Sequence, residues 1–405
     1  MIGQWISSRR DILAIYFSFG FQSTATAISW QFITYFIKHD LEVSSFLLMT
    51  LVWSAPAIIV MVGSNLWGSI SDRKGRRKPF MIMGFLGYAL TYFLYSFVQD
   101  WMQFLFVSLV GSLFYASALP VGQAYLTTDI KNKGEVLGGF LMAQSAGWFI
   151  GALGSGFTYD YLGMFTLYRI AGALSLLATI LCIAFVRDIE VKPSVEIYEV
   201  DRLSILSRPG MKRLLGSVTI SSVGINSLTF VLAILIVDEL HGDPAHVGLA
   251  NSLATFFAVL IASRIGRIVD EKGPIKILLV GFSLYMIIAF IFASTSNPLI
   301  ATFSQAIPVY PFVSTAAYAM AAMISGKSER GSAMGLIVGG QNAGNAIGPI
   351  IGGIFAEYIF GTVQPIAWIY LLLNFIALLL AFSLISISKE LHENEIYGNE
   401  IEPGL

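Results

Sequence analysis

The chain has 405 residues, 56% of them hydrophobic and 12% charged, against a charged share of about 25% in soluble globular proteins. That composition excludes water as the main solvent, and a formal net charge of −1 gives no basic excess for nucleic acid. The single cysteine, Cys182, lies in an apolar run and excludes an intrachain disulfide.

In chain order, apolar runs fall near 12–37, 44–70, 79–98, 102–126, 134–158, 164–186, 212–237, 246–268, 275–294, 299–324, 332–356 and 364–387. A helix needs roughly 20 apolar residues to cross a bilayer, so these runs predict twelve spans with short connections and leave no room for a sizeable soluble domain. Ser8-Arg9-Arg10-Asp11 before the first run resembles a twin-arginine export signal, but no small-residue cleavage site follows. It is read as the start of an uncleaved first span. The polar stretch 187–210, carrying Arg187, Asp188, Glu190, Lys192, Glu196, Glu199, Asp201, Arg202 and Arg208, reads as a linker. The predicted organisation is a six-helix bundle over 1–186, a cytoplasmic linker over 187–210, a second six-helix bundle over 211–388 and a cytoplasmic tail over 389–405.

Loops on the cytoplasmic side of a membrane protein retain Lys and Arg. With twelve spans, alternate loops collect 22 of the 24 Lys and Arg residues on one side and leave Lys38 and Arg169 on the other. A wrong span count would scramble this alternation. It predicts a multi-pass protein of the cell membrane with both termini cytoplasmic.

The halves repeat. Gly68, Asp72, Gly75 and Lys78 recur 198 positions later as Gly266, Asp270, Gly273 and Lys276. Gly134, Gly138, Gln144, Ala146, Gly147, Ile150 and Gly151 recur 197 positions later as Gly331, Gly335, Gln341, Ala343, Gly344, Ile347 and Gly348. Copies six spans apart share an orientation, which predicts a pseudo-two-fold axis along the membrane normal.

The loop Gly68-Ser-Ile-Ser-Asp72-Arg73-Lys74-Gly75-Arg76-Arg77-Lys78 resembles the signature loop between spans 2 and 3 of the major facilitator superfamily, and Gly266 to Lys276 resembles its degenerate copy between spans 8 and 9. The resemblance covers the whole chain, toward the drug and solute antiporter branch. It implies two bundles rocking about a midplane site by alternating access, driven by a solute or ion gradient rather than ATP. On this reading the loop is a latch: Gly68 would let helix backbones approach, Gly75 would supply a tight turn, Asp72 would face the N-terminal end of span 11, and Arg76 or Arg77 would pair with Asp129. A purely topological role for Arg73, Lys74, Arg76, Arg77 and Lys78 would need neither glycine nor Asp72.

Small-residue faces stand at Gly147 and Gly151 in span 5 and at Gly344 and Gly348 in span 11, where Pro349 could add a bend. The family's exporter pattern in span 5 has a proline where this chain has Ala152, which weakens the exporter inference. Its span 4 arginine is here Val107, and no acidic residue stands at a span centre. A proton or another coupling ion therefore stays open. Arg169, about one and a half turns into span 6, is expected to snorkel to the interface.

Cavity candidates are uncharged. Gln22 and Thr26 share a face of span 1, Gln144 and Trp148 of span 5, and Gln341 and Asn345 of span 11, each pair four apart. Asn226 lies in span 7, where Gly224-Ile225-Asn226-Ser227 resembles Gly20-Phe21-Gln22-Ser23. Spans 1, 4, 7 and 10 chiefly face the cavity in the family, which favours Gln22 and Asn226, then Tyr115 and Gln305. Interhelical hydrogen bonding is the competing role for every amide. Such a lining suits a neutral or amphipathic small molecule, exported as in multidrug efflux or taken up as a sugar or another neutral nutrient. A non-transporting receptor or scaffold on the same fold is a remote alternative.

No enzyme, cofactor or metal site is expected, and the chain is expected to work as a monomer among membrane lipids. Gly326-Lys327-Ser328 ends like a phosphate-binding loop, but lacks the first glycine and follows a membrane helix. His39, His241, His246 and His392 are too dispersed to hold a metal.

Overall fold

A computed structural model of the chain describes residues 9–128, 132–189, 202–326 and 329–386. They form helices throughout, with no β-strand among the described residues: α1 (Arg9–Trp30), α2 (Ile33–His39), α3 (Phe46–Lys74), α4 (Lys78–Tyr95), α5 (Trp101–Tyr115), α6 (Ala118–Thr127), α7 (Lys133–Phe185), α8 (Arg202–Ser207), α9 (Met211–Thr229), α10 (Leu232–Ile234), α11 (Pro244–Lys272), α12 (Pro274–Ser294), α13 (Pro298–Gln305), α14 (Tyr310–Ile324), α15 (Arg330–Phe355) and α16 (Ile366–Phe382). π-helical turns continue α10 over Leu235–Glu239 and α15 over Ala356–Phe360. In a bilayer core the backbone must satisfy its own hydrogen bonds, and an all-helical chain does so.

These helices carry the twelve apolar runs. Among the described residues, eight stretches are long and apolar enough to cross a membrane. One of them, Gly134–Phe185, is two spans merged across Gly163, whose φ of 67° and ψ of 161° are open to glycine but strained for other residues. The bent pair Met211–Thr229 and Leu232–Glu239, the helix Lys78–Tyr95 and the helix Ile366–Phe382 supply the rest.

Helix ends follow local chemistry. Asp100 caps α5 by accepting from the Gln103 amide at 2.9 Å, and Asn297 caps α13 by accepting from the Leu299 amide at 2.9 Å. Gly75 closes α3 at φ 64°, and its repeat partner Gly273 precedes α12 at φ 85°. The turn expected of the motif thus uses a left-handed residue in both copies.

Four spans are interrupted partway: span 1 at Gln31-Phe32, span 4 at Ala116-Ser117, span 7 at Phe230-Val231 and span 10 at Ala306 to Val309. Pro308 accounts for the last. Neither proline nor glycine stands at the breaks in spans 1 and 7, yet Phe32 (φ −111°, ψ 6°) and Val231 (φ −112°, ψ 14°) take almost the same backbone conformation. The sequence gives no sign of either break.

The chain divides into two compact units, Met1–Ile197 with Phe230–Val259 and Ser296–Ala306, and Tyr198–Thr229 with Leu260–Thr295 and Ile307–Leu405. In the first, α1 lies along α7, and Phe19 packs edge-on between Phe85 and Phe140, with ring centroids 4.9 and 4.8 Å away. A Cβ on Gly151 would stand 2.9 Å from the Ala27 Cβ and 3.0 Å from the Thr24 carbonyl carbon, so only glycine permits this approach. A second crossing, of α7 with α11, rests on Gly156, where a Cβ would fall 2.6 Å from the Gly248 Cα. In the second unit α9 packs against α15 and α16. There a Cβ on Gly348 would stand 2.7 Å from the Asn226 Cβ, and one on Gly344 2.9 Å from the Val223 amide nitrogen. Spans 5 and 11 thus meet spans 1 and 7 through equivalent glycines.

Candidate functional site

The latch loop joins α3 to α4. Asp72 pairs with Arg77 at 2.6 Å, the Ser71 hydroxyl donates to the Arg76 carbonyl at 2.8 Å, and Arg77, which is buried, donates to the Ser71 hydroxyl at 3.2 Å. Arg76 donates through Nε to Asp188 at 2.7 Å, and Lys78 donates to the Ile183 carbonyl at 2.7 Å. The loop therefore grips the C-terminal end of α7, where exposed carbonyls favour a cation. Arg73 is exposed. Asp129, the partner expected for Arg76 or Arg77, lies outside the described residues; the two arginines engage Asp188 and Asp72. The close approach expected at Gly68 is not made within its unit, where a Cβ would meet nothing within 4 Å, and the same holds for Gly266. In the second copy Asp270 and Lys276 are exposed, and no ion pair like Asp72–Arg77 forms among the described residues. The reason is chemical: Pro274 and Ile275 replace Arg76 and Arg77.

In the first unit the cavity candidates belong to a polar and aromatic group. Gln22 is 5% exposed; its Nε2 donates to Thr26 Oγ1 at 3.3 Å, while its Oε1 has no hydrogen-bond partner. Thr26 Oγ1 also accepts from Tyr92 Oη at 3.3 Å. Tyr88 stacks on Tyr115 at 4.2 Å and 10°, and on Tyr92 at 5.9 Å. Trp30 packs between Trp53, at 4.8 Å, and Trp148, at 5.5 Å. The Gln144 carbonyl accepts from the Ser23 hydroxyl at 2.6 Å, fixing span 5 on span 1. Gln305 is half-buried at the end of α13, beside the interruption of span 10.

In the second unit Asn226 donates to Asn345 Oδ1 at 2.8 Å and to the Ser222 carbonyl at 2.8 Å, and Gln341 Oε1 accepts from Tyr318 Oη at 3.0 Å. The Asn226–Asn345 and Tyr318–Gln341 bonds are interhelical, of the kind that competes with a lining role, while the bond to Ser222 stays within α9. Asn374, fully buried, accepts from the Ser221 hydroxyl at 2.7 Å.

Trp30, Trp53, Tyr88, Tyr92 and Tyr318 do not stand out in the sequence, because aromatic residues are frequent in every span and spacing alone does not tell lipid-facing rings from inward ones. Thr26 four residues before Trp30, on one helical face with Gln22, is the available signal for Trp30.

The profile of the Major Facilitator Superfamily matches residues 13–217 and again residues 214–402. Over 259 residues, 60% of this chain, the sequence is 29% identical to the multidrug resistance protein MdtG of Salmonella typhimurium (strain LT2), and equally to that of Salmonella arizonae. The match spans 63% of the length of those relatives. Among solved structures, a mutant of the nucleoside transporter NupG superposes with a TM-score of 0.80 at 13% identity, covering 93% of this chain and 99% of that one. A bacterial homologue of the human lysosomal transporter Spinster does so at 0.69 and 13%, covering 96% and 97%. Two successive profile matches that together take in nearly all of a multi-pass helical chain, on a fold shared with these transporters, make the protein a member of the Major Facilitator Superfamily.

Proposed function

We propose that the protein is a secondary transporter that exports neutral or amphipathic small molecules by alternating access, with 1–186 and 211–388 as the moving bundles and both termini in the cytoplasm. The observation that carries this reading is the group of Gln22, Thr26, Trp30, Trp53, Tyr88, Tyr92, Tyr115 and Trp148. It offers broad aromatic faces, hydroxyls and one free buried acceptor, Gln22 Oε1, with no charged side chain in it. An unpaired buried carbonyl costs about 1–3 kcal/mol, and a bound donor group would recover part of that. The interruptions in spans 1, 4, 7 and 10 support the reading, since discontinuous helices are where transporters build sites at membrane depth. The likeness to MdtG, called a multidrug resistance protein, favours efflux. The energy source in this proposal is an ion gradient, with protons as the first candidate.

The test begins with thermal stabilisation of the purified protein by cationic dyes, neutral sugars, nucleosides and amino acids. Each stabilising compound then goes into proteoliposomes with and without a pH gradient. Amphipathic compounds should exchange in counterflow and accumulate only with the gradient. Exchange of sugars or nucleosides alone would replace efflux by nutrient uptake, and absence of any counterflow would remove transport.

A further inference from the structure

Arg10 stands in the first turn of α1, and Leu13, Phe17 and Phe21 follow it on one helical face. With Leu181 and Phe185 near the end of α7 these side chains wall a groove of about 620 Å³. Its walls are hydrocarbon apart from Arg10, whose guanidinium carbon lies 5.1 Å from the centre of the Phe185 ring. The groove is open: Leu13 is 45% exposed, Phe17 60% and Phe185 41%. The neighbouring carboxylate, Asp11, is buried, accepts from the Arg187 amide at 3.2 Å and is not among the residues that line the groove.

The dimensions identify an occupant. From Arg10 to Phe21 the helix rises about 16 Å, which is about half of the roughly 30 Å hydrocarbon core of a bilayer. The groove is therefore one leaflet deep, with a cation at the headgroup end and apolar walls along the acyl region. The Arg10 end is also the end to which Arg76 and Lys78 belong, since they bind the exit and the last turn of α7. Guanidinium matches phosphate oxygens by paired hydrogen bonds, and basic pockets between membrane helices suit anionic headgroups.

We propose that this groove is a binding site for one anionic phospholipid of the leaflet on the basic side, its phosphate on Arg10 and one acyl chain along Leu13, Phe17 and Leu181. The ring of Phe185 orients the guanidinium by cation–π contact, and leaves its N–H edge for the phosphate. The site is independent of the transport cycle and depends only on the chain lying in a membrane.

Native mass spectrometry of the full chain, given phosphatidylglycerol or phosphatidylethanolamine of identical acyl composition, tests this. The wild type should retain phosphatidylglycerol about fivefold better, corresponding to one basic contact. Arg10→Gln should abolish the preference, while Leu13→Trp, which keeps the charge and fills the groove, should reduce retention of both lipids. Equal retention of the two lipids by the wild type overturns the proposal, as does undiminished phosphatidylglycerol retention by either variant. Because Arg10→Gln could impair insertion, phosphatidylglycerol with a photoreactive acyl chain is also applied to the wild type. Label should fall on peptides from 10–21 and 181–185; label elsewhere, or label there only after removal of residues 1–8, overturns the proposal.

Discussion

Lys38 Nζ lies 2.5 Å from Asp238 Oδ2, joining the end of span 1 to the end of span 7 across 200 positions of sequence. His39 Nε2 reaches the same carboxylate at 3.0 Å, and the Tyr35 ring packs at a tilt against the imidazole, with centroids 4.3 Å apart. Nearby, Thr34 donates to the Phe230 carbonyl, a group freed by the interruption of span 7, and Asn251 donates to Gln31 at 3.1 Å. Lys38 is one of only two positive residues on its side of the membrane in the charge count, and it serves here as one arm of a clamp.

Removing the charge of Asp238 should loosen that clamp. The pair is partly exposed, with side chains 30% and 19% accessible, so its share is about 1 kcal/mol or less. In a Cys182→Ser background, a cysteine replacing the buried Ile236 should be alkylated up to about fivefold faster when Asp238→Asn is added. An unchanged rate would mean that the polar contacts of Gln31 and Thr34 hold this region unaided.

Gln22→Leu should separate stability from activity. The leucine eliminates a buried acceptor without a partner and gives up one long hydrogen bond to Thr26, so the Tm should rise by about 2 °C. Counterflow of an amphipathic substrate should fall at least about tenfold, or roughly 1.4 kcal/mol of lost interaction. A rise in Tm with full transport would make Gln22 a bystander.

Glycine substitutions should divide by position rather than by motif. Gly348→Leu drives a side chain into the α9 backbone around Val223 and Asn226 and should cost about 1–3 kcal/mol, read as a lower Tm. Gly154→Ala, where a Cβ meets nothing within 4 Å in its unit, should stay within about 0.5 kcal/mol of wild type. Equal losses at both positions would show that helix propensity, not close packing, selects glycine in these spans.

Much of the fold is legible in the sequence because membrane burial writes itself as long apolar runs, and duplication writes itself as a fixed offset. The glycines of spans 5 and 11 stand out for the same reason: residues 147, 151, 344 and 348 recur in register, and the structure places all four against a neighbouring backbone. Partners are harder to read. Arg76 reaches Asp188 and Lys78 reaches the Ile183 carbonyl, pairings fixed by where α7 ends rather than by any local pattern. Gly68 belongs to the same motif as Gly75, yet a Cβ there would meet nothing within 4 Å, so a motif position does not reveal which of its glycines is spatially constrained. The breaks at Phe32 and Val231 left no trace because neither residue is a helix breaker.

Those two breaks bear on what sets the course of a helix. Phe32 and Val231 share their φ and ψ within 8° but not their side chains, and they lie 199 positions apart, within two residues of the offset that relates the halves. Neither residue imposes the bend, so the shape follows the repeated architecture around each site rather than the residue that occupies it.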